Sequence, residues 1–190
     1  SSKASMSNLA YARKACFDAA RWVNSSFFRK RQTDRIAIYF YAVEEDTVAA
    51  FEAILEWLAG QHYRYCSPAE YVAPEDGGRR AFISFDDNYV TWFEQLPLFD
   101  KHGVKCTFYT NTLPLRDRSS LAEQQAYFDR IGYRHRRVAL SSAELSAIAK
   151  AGHTIACHTH SHRKLSDIAL EDGKDEMRRS KEILEDIVGV

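Results

Sequence analysis

Two stretches of the chain carry side chains that could do chemistry together. Residues 81–87, Ala-Phe-Ile-Ser-Phe-Asp-Asp, run from small and apolar residues straight into the adjacent carboxylates of Asp86 and Asp87. Such a run reads as a buried strand. Neighbouring carboxylates repel, and burying them is costly unless a cation or hydrogen bonds compensate, so the pair belongs where the strand leaves the core. The second stretch, His158-Thr159-His160-Ser161-His162, follows another short, largely apolar run at 154–157. One strand end bearing carboxylates and another bearing imidazoles can together hold a metal ion. A carboxylate oxygen plus two ring nitrogens, with positions open to water, is the ligand set of catalytic zinc and similar ions. The plainer alternative for the first stretch is that Asp87 and Asn88 only make the turn and cap the helix after it.

The elements that must position these residues alternate along the chain. Strand patterns fall at 35–43, 63–66, 81–87, 104–110 and 154–157. Between the first two lies a helix over 47–59 whose stripe is Val48, Phe51, Ile54, Leu55 and Leu58, ended by Gly60. Ser67-Pro68 starts a turn of helix around Glu70. A longer helix over about 89–102 is closed by Gly103, and Pro97 inside it predicts a kink or a late start. Ser141 and Glu144 form a capping-box pattern opening a helix to Lys150, stopped by Gly152. The last helix spans about 169–187, with Met177, Ile183, Leu184 and Ile187 as its apolar positions. Strands and helices in this rhythm imply an α/β fold with a parallel sheet, open or closed into a barrel. Ligands in such folds gather at the carboxyl ends of strands, where both stretches lie.

Residues 111–139 interrupt the rhythm and are long for a simple connection. Their Arg134-His135-Arg136-Arg137 cluster could grip a phosphorylated or acidic sugar, or could be an ordinary exposed charge cluster. His102, His135 and His153 read as structural.

Bulk properties narrow the classes. The 190 residues suffice for one core, and a formal net charge of zero gives no global pull towards nucleic acid. No run is long enough to span a bilayer, and the N-terminus lacks the apolar block of a secretory signal. The first 35 residues are about six charges positive. Residues 1–34 are therefore expected as a basic N-terminal helical extension, a solvated face or a peripheral contact with a membrane surface or an anionic glycan, ahead of a domain over 35–190. Cys16, Cys66, Cys106 and Cys157 are singly spaced, and Cys106 and Cys157 sit in strand-like runs where reduced core thiols are expected. A cytoplasmic setting, with membrane association open, is the corresponding expectation.

Taken together, the arrangement resembles the polysaccharide deacetylases, carbohydrate esterase family four, relatives of the nodulation chitooligosaccharide deacetylase. Ser84-Phe85-Asp86-Asp87-Asn88-Tyr89 is similar to their first motif, of Thr-Phe-Asp-Asp-Gly-Tyr type. Residues 93–112 have the helix, Gly turn and strand that follow it in the family. His158-Thr159-x-x-His162 is similar to the second motif. The resemblance covers about residues 35–190.

It implies a distorted (β/α) barrel, incomplete in this chain, because the sequence ends where the family's third motif would begin. Neither that motif's Arg-x-Pro nor the later Leu-x-His that supplies the general acid occurs. It further implies that Asp87, His158 and His162 bind a divalent metal, most simply zinc, with cobalt, nickel or manganese as substitutes. Asp86 would be the general base, and Thr159 would brace the loop. Strict strand alternation would instead point 158, 160 and 162 the same way, so His160 is the runner-up ligand. Asn88 stands where the family has Gly, tolerable because Asn accepts left-handed backbone. The activity implied is removal of the N-acetyl group from an amino sugar of a polysaccharide or lipopolysaccharide precursor. Two alternatives stay open: an inactive, metal-bearing glycan-binding module, and a metal-dependent phosphoesterase.

Overall fold

The structure, a computed structural model, describes residues 34–74 and 77–189. The expected basic helix over the first residues lies outside the described residues. What is described is a five-stranded parallel sheet with helices packed on it. The strands are β1 (Arg35–Phe40), β2 (Tyr63–Tyr65), β3 (Arg79–Asp87), β4 (Thr107–Thr110) and β5 (Thr154–Cys157). Their order is β1-β3-β4-β5, with β2 against the start of β3. The sheet is open among the described residues, so the α/β class and parallel pairing hold while the barrel does not close.

β3 is the central strand because its alternate residues Ala81, Ile83 and Phe85 are apolar and fully buried. Phe85 is the hub of a ring cluster, 4.9–6.2 Å contacts linking Phe40, Phe51, Phe85, Phe99, Phe108 and Trp92. Each fully buried aromatic of this kind removes enough apolar surface to be worth about 2–3 kcal/mol. Helix α1 (Val48–Gly60) supplies Phe51, Leu55 and Leu58 to that core. It takes Gly60 into its last turn, and the left-handed residue that ends the run is His62, at φ 61°. Helix α2 (Pro68–Val72) is opened by a capping box of Ser67 and Glu70.

After β3 the expected single helix is two: α3 (Thr91–Glu94) and α4 (Leu96–Lys101). Pro97 falls in the first turn of α4, where its missing N–H costs nothing. Gly103, at φ 60°, then turns the chain towards β4. β4 is shorter than its apolar run because Val104 N still bonds back to Phe99 O, 2.8 Å, closing the helix.

The stretch between β4 and the next expected helix is a packed unit. It carries α5 (Leu121–Arg130), opened by a Ser120–Glu123 capping box, with Tyr127 and Phe128 fully buried. Helix α6 (Ser142–Lys150) starts at the expected Ser141–Glu144 box and stops before Gly152, at φ 87°. Helix α7 (Leu170–Val188) ends on Gly189 in the left-handed region and packs on β5 and α6. Its inward residues are Glu176, Ser180 and Leu184, whereas Met177 is exposed, contrary to the apolar stripe expected. Cys66 and Cys106 are buried free thiols, but Cys157 is exposed, which corrects its assignment to the core. It closes the short β5, whose outer edge has no strand beside it among the described residues. No described helix is long and apolar enough to cross a membrane.

Candidate metal centre

Asp86 and Asp87 are the last two residues of β3, paired in register with Tyr109 and Thr110 of β4. The ladder continues to β5, where Thr110 lies beside Cys157, so His158 emerges next to the carboxylates. Asp87 is 3% exposed and adopts φ 82°, a conformation rare outside glycine. The left-handed residue is thus the aspartate and not Asn88, so the reason expected for tolerance of Asn88 does not apply. Asn88 is instead fully buried and fully used. Its Nδ2 donates to Asn111 O at 2.9 Å, and its Oδ1 accepts from Leu140 N at 2.8 Å.

The side chain of Asp87 is held from one side only. Oδ2 accepts from the Tyr89 hydroxyl at 2.8 Å, while Oδ1 is buried without a hydrogen-bond partner. That bare oxygen lies 3.3 Å from His162 Nε2 and 3.8 Å from His158 Nε2. One ligand atom from each of Asp87, His158 and His162 lies within 4.8 Å of the other two. Ligand atoms about 2.0–2.1 Å from a tetrahedral zinc sit about 3.3–3.4 Å apart, so the three fit a divalent cation with little adjustment. A buried, unpartnered carboxylate oxygen facing two imidazoles is otherwise an expensive arrangement.

The turn at 158–162 produces this convergence. Thr159 and His162 are both left-handed, at φ 69° and φ 57°, which breaks the alternation a strand would impose. His160 is thrown to the opposite side, 8% exposed, with Nδ1 2.8 Å from Thr112 Oγ1. It is not part of the cluster, and the runner-up assignment is thereby removed. The peptide carbonyls of the turn are caught by its neighbours. Asn111 Nδ2 reaches those of His158 and Thr159, Leu113 N that of His160, and Arg130 that of Ser161. Thr159 Oγ1 also accepts from Asn111 Nδ2, at 3.4 Å, in keeping with the expected bracing role.

Electrostatics follow burial. Desolvation pushes the Asp86 carboxyl above the ordinary aspartate range, with Asp87 adding to it and the two imidazoles of the cluster opposing. Desolvation lowers the His158 imidazole from its ordinary value, against the pull of Asp86 and Asp87.

Asp86, Asp87, His158 and His162 form one end of a cleft of about 810 Å³. Its walls come from Tyr41, Glu44 and Asp46 after β1, and from Tyr133, Arg134 and His135 after α5. His135, expected to be structural, is exposed and lines this cleft, its ring 5.5 Å from that of Tyr133. His102 and His153 are structural as expected: His102 Nε2 meets Glu52 at 2.8 Å, and His153 Nδ1 accepts from Cys106 N at 3.1 Å. In the basic cluster, Arg136 is taken by Glu94 and Arg137 by Asp129 at 2.9 Å. Arg134 lines the cleft with His135.

Comparison with known proteins decides the family. Residues 73–190, more than half of the chain, match the family model described as polysaccharide deacetylase. The chain belongs to the polysaccharide deacetylase family. A curated relative is YxkH of Bacillus subtilis, provisionally named a polysaccharide deacetylase, 24% identical over 143 residues. That alignment takes in 72% of this chain and 44% of YxkH, so the chain spans less than half of that relative. Among solved structures, the Streptococcus pyogenes deacetylase PplD, in complex with acetate, superposes with a TM-score of 0.59 at 16% identity. The match covers 82% of this chain and 68% of PplD. A polysaccharide deacetylase from Bacillus cereus gives the same TM-score at 19% identity, over 82% of this chain and 48% of its own. These likenesses establish the α/β fold of the polysaccharide deacetylase structures, with its parallel sheet, which in this chain is not closed into a barrel among the described residues.

Sequence reasoning missed Tyr89 as the support of Asp87, Asn111 as the brace of the histidine turn, and Glu176 beneath Ser161. The available signal was polar residues inside apolar surroundings: Asn111 ends the β4 run, and Glu176 shares a helical stripe with Ser180 and Leu184.

Proposed function

We propose that this chain carries the metal-binding and base-supplying part of an enzyme that hydrolyses the N-acetyl group of an amino sugar in a glycan. The observation that supports this reading is the buried, unpartnered Asp87 Oδ1 facing two imidazoles, with Asp86 beside it on an open cleft. Asp87, His158 and His162 would hold a divalent cation, most simply zinc. When bound, that ion supplies Lewis acidity, which polarises an acetamido carbonyl and lowers the pKa of a water from about 15.7 towards about 7.

The remaining work falls to the chain. Tyr89 fixes the rotation of Asp87, so its free oxygen points at the imidazoles. Asp86 accepts the proton of the water that adds to the acetamido carbon. Cleavage of the C–N bond then releases acetate and the amine. Burial raises the proton affinity of Asp86, and the proton it takes is the one the leaving nitrogen needs for the C–N bond to break.

The test is acetate release from N-acetylglucosamine oligomers by the full-length protein. Asp86→Asn is expected to keep the metal, measured by elemental analysis, and to lose about 10²–10⁴ in turnover. Unchanged acetate release by Asp86→Asn would remove the base assignment. Metal uptake without acetate release from any acetylated glycan would favour a glycan-binding module. A second reading draws on Arg134 and His135, cationic or cationisable groups lining the same cleft. They suit an anionic substrate, and turnover of a generic phosphate ester in place of acetate release would select a phosphoesterase.

A further inference from the structure

The turn bearing the two imidazoles is held from below by a carboxylate that no motif contains. Glu176 lies on α7, buried at 8% exposure, and spends both oxygens on one residue. Oε2 accepts from Ser161 N at 2.6 Å and Oε1 from Ser161 Oγ at 2.6 Å. Ser161, 7% exposed, sits between His160 and the ligand candidate His162. Its carbonyl is taken by Arg130 of α5, so every polar group of Ser161 is engaged by a distant helix. Thr159 and His162, the left-handed residues of the turn, lie within two positions of it. Left-handed non-glycine backbone persists only where surrounding contacts over-determine it.

We infer that Glu176 is a positioning residue of the metal centre, locking Ser161 so that His158 and His162 are held facing Asp87. This rests on the proposed metal-binding reading. Charge-assisted hydrogen bonds of this length are the strong kind, and they pin main chain and side chain at once. Supports behind ligating side chains typically carry about ten- to a hundredfold in metal affinity. The last helix thus sets the geometry of a site to which it contributes no ligand.

The experiment is Zn²⁺ affinity of the full-length protein, by competition with a chelating dye, alongside apoprotein melting. Glu176→Ala is expected to weaken Zn²⁺ by about ten- to a hundredfold. Glu176→Gln is expected to fall between the parent and Glu176→Ala, because its carboxamide oxygen can take Ser161 N and its nitrogen can donate to a rotated Oγ, without the charge. Leu184→Ala, at a buried position about two turns beyond Glu176 on the same helix, is the control for destabilisation alone and is expected to bind like the parent. Parent-like affinity in Glu176→Ala, or an equal loss in Leu184→Ala, overturns the inference. Should Glu176→Ala not fold, Ser161→Ala deletes one of the two contacts, and is expected to weaken Zn²⁺ in the same direction. Parent-like binding by it overturns the inference just as well. A parent that takes up no Zn²⁺ overturns the metal reading itself, and the inference falls with it.

Discussion

Asn88→Gly restores the glycine of the family motif, and the structure says that this restoration is harmful. Glycine would be an improvement if residue 88 were left-handed, but the positive φ belongs to Asp87, so no backbone strain is relieved. What is lost is a side chain with no exposure that joins three segments. Asn111 O loses its donor at 2.9 Å, and Leu140 N loses its acceptor at 2.8 Å. Each buried group left unpaired costs about 1–3 kcal/mol. The greater freedom of glycine in the unfolded chain adds about 0.5–1 kcal/mol. The middle of these ranges is about 4–5 kcal/mol, and a water entering the vacated space brings it down towards about 3 kcal/mol. A domain with about 5–15 kcal/mol in hand would lose a large share of its stability. Urea unfolding at pH 7 measures this, with Asn88→Ala as the companion that loses the same hydrogen bonds without the glycine term. Zinc affinity should fall too, because Asn111 also grips the carbonyls of His158 and Thr159. A Gly variant within about 1 kcal/mol of the parent would refute the reasoning, since that is the worth of a single ordinary hydrogen bond.

Zinc at about a hundredfold over its dissociation constant is expected to stabilise the protein by about 2.7 kcal/mol. For a chain of this size that raises Tm by roughly 5–10 °C. Chelation should reverse the shift, and His158→Ala or His162→Ala should abolish it while His160→Asn retains it; a shift surviving in His158→Ala would remove that residue from the ligand set. His153 gives a pH prediction. Burial, helped by Lys105, depresses its folded-state pKa to about 4 from 6.5. The unfolded chain therefore takes up the proton first, so the contribution of neutral His153 is whole above pH 6.5 and is lost as the pH falls to about 4. The loss saturates at about 3 kcal/mol, and urea unfolding of the parent and His153→Asn at pH 7 and 4.5 isolates it. An equal loss in both proteins would show that His153 does not carry it.

Much of this could be read from the sequence because its signals are local. Apolar runs marked the strands, the Ser141–Glu144 box and the Ser67-Pro68 pair marked helix starts, and Asp87, His158 and His162 were legible from two short motifs. The failures have physical causes. Pairing in a parallel sheet is non-local, so nothing in 154–157 revealed that β5 would be an outer strand and leave Cys157 exposed. Met177 was placed inward on hydrophobicity, but Ser161 N and Oγ find their acceptor in Glu176, which takes the buried stripe instead. Asn88 was explained by intrinsic preference for left-handed backbone, whereas its partners lie 23 and 52 residues away along the chain. His135 was read as structural. Only the packing of α5 brings it to the cleft.

The distribution of strained backbone ties these observations together. Among the described residues, four non-glycines have positive φ, and three of them are Asp87, Thr159 and His162. Each costs of order 1–3 kcal/mol, so the cluster is maintained against several kcal/mol by the hydrogen bonds around it. The geometry explains what that cost secures. A β-strand continued past Cys157 would send residues 158, 160 and 162 to one face, placing three imidazoles together. The left-handed turns at 159 and 162 separate them, bringing two to Asp87 and giving the third to Thr112. If the cluster holds zinc as proposed, that gives three protein ligands instead of four, the number that leaves the ion an open position. A fourth ligand would fill that position, so under the proposed metal-binding reading the separation of His160 from the cluster would suit the centre to reaction rather than to structure.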